Sequence, residues 1–184
     1  MLNNAIITGA SGLLGRKVYS IFKESGLFEQ VIGLAFSRAK NGLIKVDLTS
    51  KDELVDLFEK YQPKIVIHCA AERFPDRAEE NVDATIKLNI KASEYLAELS
   101  KQHGTRLIYI STNYVFDGKN PPYLPSAQPN PLNFYGKSKY EGEKAVVKIN
   151  PQSIVVRVPI LYGETEFPGE SMVMLLSEYV KVSY

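Results

Sequence analysis

Apolar and polar positions alternate between two periods along this chain. Ala5-Ile6-Ile7-Thr8 is a short β-branched run and predicts a strand. Leu13 to Ser25 changes to helical spacing, with Leu14, Val18, Ile21 and Phe22 on one apolar face, and Gly26 closes it. Val31 to Phe36 predicts a second strand and Leu43 to Val46 a short third. Ser50 three residues before Glu53 is a capping-box pattern, opening a helix to about Tyr61 that Pro63 stops. Lys64 to Cys69 is a continuous run suited to a strand covered on both faces. Helical spacing then extends from about Glu79 to Gln102 and ends at Gly104. Arg106 to Ile110 predicts a buried strand, Tyr135 to Ile149 a helix, and Ser153 to Val158 a last strand. Five of the ten prolines fall between Pro121 and Pro131, which predicts an irregular loop there.

Strands alternating with helices specify an α/β fold built on a doubly wound parallel sheet, the Rossmann arrangement. At 184 residues the chain is one domain on ordinary length priors, without internal repeats. The 22 basic side chains are balanced by 21 acidic ones, so no basic excess suggests a nucleic-acid partner. Cys69 is the single cysteine and cannot form an internal disulfide, and no Cys/His cluster has zinc spacing, so no metal is expected. No signal-peptide pattern opens the chain, and its longest apolar runs are strand-sized, so a soluble, cytoplasmic protein without a membrane partner is expected.

Thr8-Gly9-Ala10-Ser11-Gly12-Leu13-Leu14-Gly15 follows the first strand and opens the first helix. Glycines at such a turn let backbone approach a pyrophosphate at the helix N-terminus, although they also suit a tight turn that only packs helix on sheet. The spacing differs from G-x-G-x-x-G, and the strand-to-helix context is what favours the phosphate reading. At the end of the second strand a carboxylate would favour NAD and a basic residue NADP. The chain has Phe36-Ser37-Arg38-Ala39-Lys40, so NADP is expected, with Arg38 clamping a 2′-phosphate and Ser37 donating to it, unless Arg38 is merely a solvated surface residue.

Tyr135 and Lys139 stand four apart, on one face of the predicted helix. A neighbouring ammonium favours the phenolate of a tyrosine acid or base, and Lys139 can also hold a nicotinamide ribose. Thr112, at the end of the fifth strand, is placed to bond a substrate carbonyl. His68 lies in an apolar strand and reads as a satisfied core histidine, whereas His103 near a helix end is expected to be exposed.

Together these motifs resemble the extended short-chain dehydrogenase/reductases from about Ala5 to Glu164. Ile110-Ser111-Thr112-Asn113-Tyr114-Val115-Phe116-Asp117-Gly118 is similar to the dTDP-4-dehydrorhamnose reductase family, which implies that Thr112, Tyr135 and Lys139 are a catalytic triad. Asn113 and Tyr114, where the family's dehydratases carry acidic residues, count against dehydration. Four segments resemble more closely the regulatory β subunits of methionine adenosyltransferase: His68 to Asp76, Asp117 to Tyr123, Pro131 to Lys137, and Arg157 to Gly163. That resemblance implies NADP contacts from Gly9, Ser11, Gly12, Leu13 and Leu14 on the phosphates and from Phe36, Ser37 and Arg38 at the 2′-phosphate. It places Asp47 and Leu48 beside the adenine, and Cys69, Ala70, Ala71, Arg73, Tyr135, Lys139 and Leu161 along the ribose and nicotinamide.

Relatives of this kind continue well past Tyr184, so residues 1–164 are expected to form the NADP-binding domain and 165–184 the start of a truncated segment, with the substrate lobe largely missing. Met172, Val173, Leu175, Leu176, Tyr179 and Val180 suit an apolar helical face. Three functions follow from the resemblance. One is a regulatory subunit docking on the methionine adenosyltransferase catalytic subunit and modulating S-adenosylmethionine synthesis. Another is an NADPH-dependent reductase of a 4-keto nucleotide sugar. The third is a cofactor-binding remnant with neither activity.

Overall fold

The structure, a computed structural model, describes residues 3–171, 173 and 174. The strands β1 (Ala5–Thr8), β2 (Val31–Ala35), β3 (Ile44–Lys45), β4 (Ile65–His68), β5 (Arg106–Thr112) and β6 (Ile154–Val158) form one sheet. Its order is β3-β2-β1-β4-β5-β6 and every pairing is parallel. This is the expected doubly wound, Rossmann-type sheet, and its connections reverse direction between β1 and β4. A crevice therefore opens at the carboxyl ends of those two strands.

Alternation along each strand sends successive side chains to opposite faces. Ile6, Ile32, Val66 and Tyr109 join a core closed by α2 (Lys51–Tyr61), α5 (Ala92–Gln102) and α6 (Phe134–Ile149) through Leu54, Phe58, Leu96 and Val146. Phe58 and Leu54 are fully buried, each contributing about 1.5–3 kcal/mol relative to exposure. Ile7, Ala10 and Ile67 face the other way, against Val18, Tyr19 and Phe22 of α1 (Leu13–Glu24).

Several local expectations are corrected. Ile21 is 50% exposed, because the stripe of α1 that meets the sheet is rotated toward Tyr19. Ser50 does cap α2, accepting from the Glu53 amide at 3.4 Å, but the Glu53 carboxylate accepts from the Asp47 amide at 2.9 Å rather than closing the box. His103 is half-buried, its ring centroid 5.5 Å from that of Phe58. The helix expected over 79–102 begins earlier and is broken. It consists of α3 (Pro75–Glu80), α4 (Val82–Thr85), a π-helical turn (Ile86–Lys91) and α5. Asn81, with φ −126°, interrupts the first join. Of the apolar face expected after residue 171, only Val173 is described, and it is 45% exposed; Met172, Leu175, Leu176, Tyr179 and Val180 lie outside the described residues.

A polar thread runs through the centre of the sheet. His68 is fully buried, as expected of a satisfied core histidine, with Nδ1 2.7 Å from the Thr8 hydroxyl and Nε2 3.1 Å from that of Ser93. Ser93 donates to the Asn89 carbonyl at 2.8 Å, so its oxygen accepts from Nε2–H, and Nδ1 accepts from Thr8. The neutral ring satisfies the thread completely. Burial, with the charge of Lys139 adding to it, pushes His68 down to about 3.

Its ordinary value is 6.5, so between that pH and about 3 the unfolded chain holds a proton on His68 that the folded chain refuses. Stability conferred by the neutral ring is present above the upper limit and falls as pH drops, by about 1.4 kcal/mol per pH unit. Urea unfolding of His68→Gln across this window should show a slope shallower by that amount. An unchanged slope would mean that other groups carry the acid sensitivity.

Candidate active-site cleft

The cleft begins where β1 turns into α1. Gly9 has φ +64°, and a Cβ there would lie 2.8 Å from the Ala70 amide nitrogen, inside the chain that leaves β4. A Cβ on Gly15 would overlap the Gly9 carbonyl oxygen. Both positions therefore require glycine if the loop is to fold this tightly. Gly12 caps α1 without a side-chain acceptor, and the first turn carries no acidic residue. The leading amides of this helix and the positive end of its dipole are thus available to an anion.

A cavity of about 190 Å³ lies in front of this turn. Its lining includes Gly9, Gly12, Leu13, Leu14 and Arg38. It also includes Cys69, Ala71, Arg73, Thr112, Tyr135, Lys139 and Leu161. The other expected residues stand outside that lining. The Ser11 carbonyl accepts from Arg16 Nη1 at 3.4 Å, and Ala70 donates its amide to the Thr8 hydroxyl at 3.2 Å. Phe36, 61% exposed, and Ser37, also exposed, follow the end of β2. The Asp47 carboxylate accepts from the amide and hydroxyl of Thr49 at 2.9 and 2.7 Å, while Leu48 is buried in the core.

Thr112 ends β5, and Tyr135 and Lys139 occupy the first turns of α6, which Asn133 caps by accepting from the Gly136 amide at 2.8 Å. The Thr112 hydroxyl accepts from the Tyr114 amide at 3.1 Å and donates to Asn113 Oδ1 at 3.4 Å. Burial raises the Tyr135 phenol above its ordinary range, opposed by the nearby Thr112 hydroxyl and by the charge of Arg73. Lys139, expected to favour the phenolate, shares the cavity with Tyr135 and is itself buried. Its side chain is 2% exposed, with Nζ 4.0 Å from the Tyr109 ring centroid. Desolvation lowers it to about 7, against the opposing influence of Cys69 and Glu143. Burial likewise pushes the Cys69 thiol up to about 12. Such a lysine can pass a proton near neutrality, the useful range for general acid–base work.

Asn89 is the residue that sequence reasoning missed on this side of the cleft. The π turn places it inward and fully buried. Its Oδ1 accepts from the Glu72 amide at 2.8 Å, while Nδ2 donates to the Glu72 carbonyl at 3.0 Å and to the Ser138 hydroxyl at 2.9 Å. One side chain thereby ties the loop after β4 to α6. A polar residue between Leu88 and Ile90, inside an apolar helical run, was the available signal. Glu170 was missed as well, although it lines the cavity.

Strand order and cleft define a Rossmann-type α/β protein whose polar side chains gather at the topological switch point. The family model described as "RmlD substrate binding domain" matches residues 3–182, and the chain belongs to that family, within the extended short-chain dehydrogenase/reductases. Methionine adenosyltransferase 2 subunit beta of Danio rerio is 46% identical over 176 residues, 96% of this chain and 53% of that protein. A dTDP-4-dehydrorhamnose reductase of Aggregatibacter actinomycetemcomitans is 36% identical over 160 residues, 86% of this chain and 52% of that protein. The solved dTDP-4-dehydrorhamnose reductase of Bacillus anthracis str. Ames, in complex with NADP, superposes with a TM-score of 0.84 at 30% identity, covering 100% of this chain and 62% of that one. This chain spans about half the length of the protein relatives it matches.

Replacing Asn89 by alanine removes three hydrogen bonds and leaves the half-buried Glu72 backbone groups without this partner. The expected cost is about 2–4 kcal/mol. Urea unfolding would measure it, and a loss near zero would show that the loop after β4 does not depend on this clamp.

Proposed function

We propose that this chain is the NADP-binding part of a regulatory β subunit of methionine adenosyltransferase, modulating S-adenosylmethionine synthesis by docking on the catalytic subunit. The observation that carries the reading is 46% identity, over 96% of the chain, to a protein of that name. The cleft supports the cofactor half of it. An uncapped helix N-terminus without first-turn acids suits a pyrophosphate. Arg38 lines the cavity and its Nη1 is buried without a hydrogen-bond partner among the described residues, the condition in which a guanidinium fits a phosphate. The Bacillus anthracis reductase, solved with NADP, superposes over the whole chain and supports the same cofactor.

A second reading is an NADPH-dependent reductase of a 4-keto nucleotide sugar. It is favoured by Thr112, Tyr135 and Lys139 lining one cavity. In that reaction Thr112 would orient the substrate carbonyl, and Tyr135 would give its proton to the carbonyl oxygen as the C–H bond forms. Lys139, near its titration midpoint at neutrality, would restore that proton. The hydride is the contribution of bound NADPH.

Titration of the chain with NADPH and NADH tests the cofactor. NADPH should bind more tightly, and Arg38→Ala should weaken it about tenfold or more while leaving NADH nearly unchanged. Equal binding of the two by the unaltered chain would remove the 2′-phosphate assignment. Co-purification of the full-length protein with the methionine adenosyltransferase catalytic subunit should succeed and alter its kinetics; absence of any interaction would sink the regulatory reading. For the alternative, the full-length protein should oxidise NADPH when given a dTDP-4-keto sugar and should lose that activity in Tyr135→Phe. No turnover in the unaltered protein would discard catalysis.

A further inference from the structure

Beyond β6 the chain turns back over the cleft. Arg16 of α1 donates from Nη1 to Glu170 Oε1 and from Nη2 to Glu170 Oε2, both at 2.9 Å, and Nη2 also reaches the Glu164 carbonyl at 3.1 Å. The Glu166 amide donates to Glu170 Oε2 at 2.8 Å. Across the cleft, Arg73 Nη2 reaches the Gly169 carbonyl at 3.2 Å. Residues 164–171 thus form a strap, tied to α1 on one side and to the loop after β4 on the other. Glu170 is 2% exposed, and a carboxylate so buried is tolerated because the Arg16 fork matches it bidentately.

Arg38 enters this cluster on different terms. Its Nη1 lies 3.7 Å from Glu170 Oε1, close enough for charge attraction and too far for a hydrogen bond. The guanidinium lies over the Phe167 ring, 4.9 Å from its centroid. The Glu170 carboxylate accepts its hydrogen bonds from Arg16 and the Glu166 amide, so Arg38 is oriented by charge and by the ring, and its buried Nη1 has no hydrogen-bond partner among the described residues.

We propose that Glu170 is a specificity-determining residue for the cofactor: fixed by Arg16, it holds the Arg38 guanidinium at the lining of the cavity, where the phosphate on the adenosine ribose would meet it. This rests on the NADP reading above. A carboxylate near a phosphate site would ordinarily oppose binding. Here the Glu170 carboxylate is engaged by its ion pair with Arg16, whose Nη1 also lies 3.4 Å from Glu166 Oε2, so the effect of Glu170 on Arg38 is one of position. The cofactor's extra phosphate is then recognised by a pair of side chains far apart in the sequence, only one of which touches it.

The test compares NADPH and NADH affinities of the chain and of Glu170→Gln by titration. The neutral amide of this variant cannot accept the bidentate ion pair, so NADPH binding should weaken about tenfold with NADH changed little. Arg16→Lys, which keeps the charge but loses the fork, should produce the same selective loss and serves if the first variant fails to fold. In an Arg38→Ala background Glu170→Gln should have no further effect on the ratio. Equal loss for both cofactors, an unchanged ratio, or a gain in NADPH binding would each overturn the assignment of Glu170. A chain that never preferred NADPH would instead overturn the 2′-phosphate reading itself, and the proposal with it.

Discussion

The approach of the Gly9 backbone to Ala70 sets the spacing on which the cleft depends. With no Cβ in the way, the first turn of the nucleotide loop settles against the chain leaving β4, and Gly15 lets α1 begin directly beneath it. The N-terminus of α1 is then aimed along the carboxyl ends of β1 and β4, where the strand connections reverse. Side chains beyond those ends, and Thr112 at the end of neighbouring β5, come to share one cavity with the residues that open the helix. A larger residue at either glycine would move the helix and with it the charge that the cleft offers an anion.

The Thr8–His68–Ser93–Asn89 thread then holds the two halves of the sheet to the helical layer. It is a complete circuit of buried donors and acceptors, and it extends through Asn89 to Glu72 and Ser138. A buried polar chain of this kind is stabilising only when every member is satisfied. The π turn is the geometric means to that end, since it rotates Asn89 into the protein without ending the helix. Tyr109 of the same layer supports Lys139 from below, and its own hydroxyl reaches the Lys139 carbonyl at 3.3 Å.

Charge in the cleft is arranged in two groups that do different work. Lys139 is buried and lowered toward neutrality, a setting for proton movement. Arg16, Arg38 and Arg73 gather instead around the strap and Glu170, a setting for binding an anion. At the back, Glu143 is buried but compensated by Arg157, whose Nη2 lies 2.7 Å away and whose Nη1 also reaches the Pro125 carbonyl at 3.3 Å. That second contact steadies the proline-rich loop beside α6.

By itself the sequence determined the α/β class, the parallel sheet, the glycine turn and the i,i+4 placement of Tyr135 and Lys139. Each of these is written locally, in the period of apolar positions or in residues that only certain backbone angles accept. It also marked Arg38, because the residue type at the end of β2 is read from position alone. Only the tertiary structure decided that Lys139 is buried over the Tyr109 ring, since a helical spacing specifies a face and leaves burial open. Asn89 and Glu170 were hidden for a related reason. The inward turn of Asn89 depends on a π insertion selected by what it meets, and Glu170 meets Arg16 from 154 residues away, after the chain has crossed the whole sheet. No local pattern encodes that meeting; the path of the backbone over the cleft does.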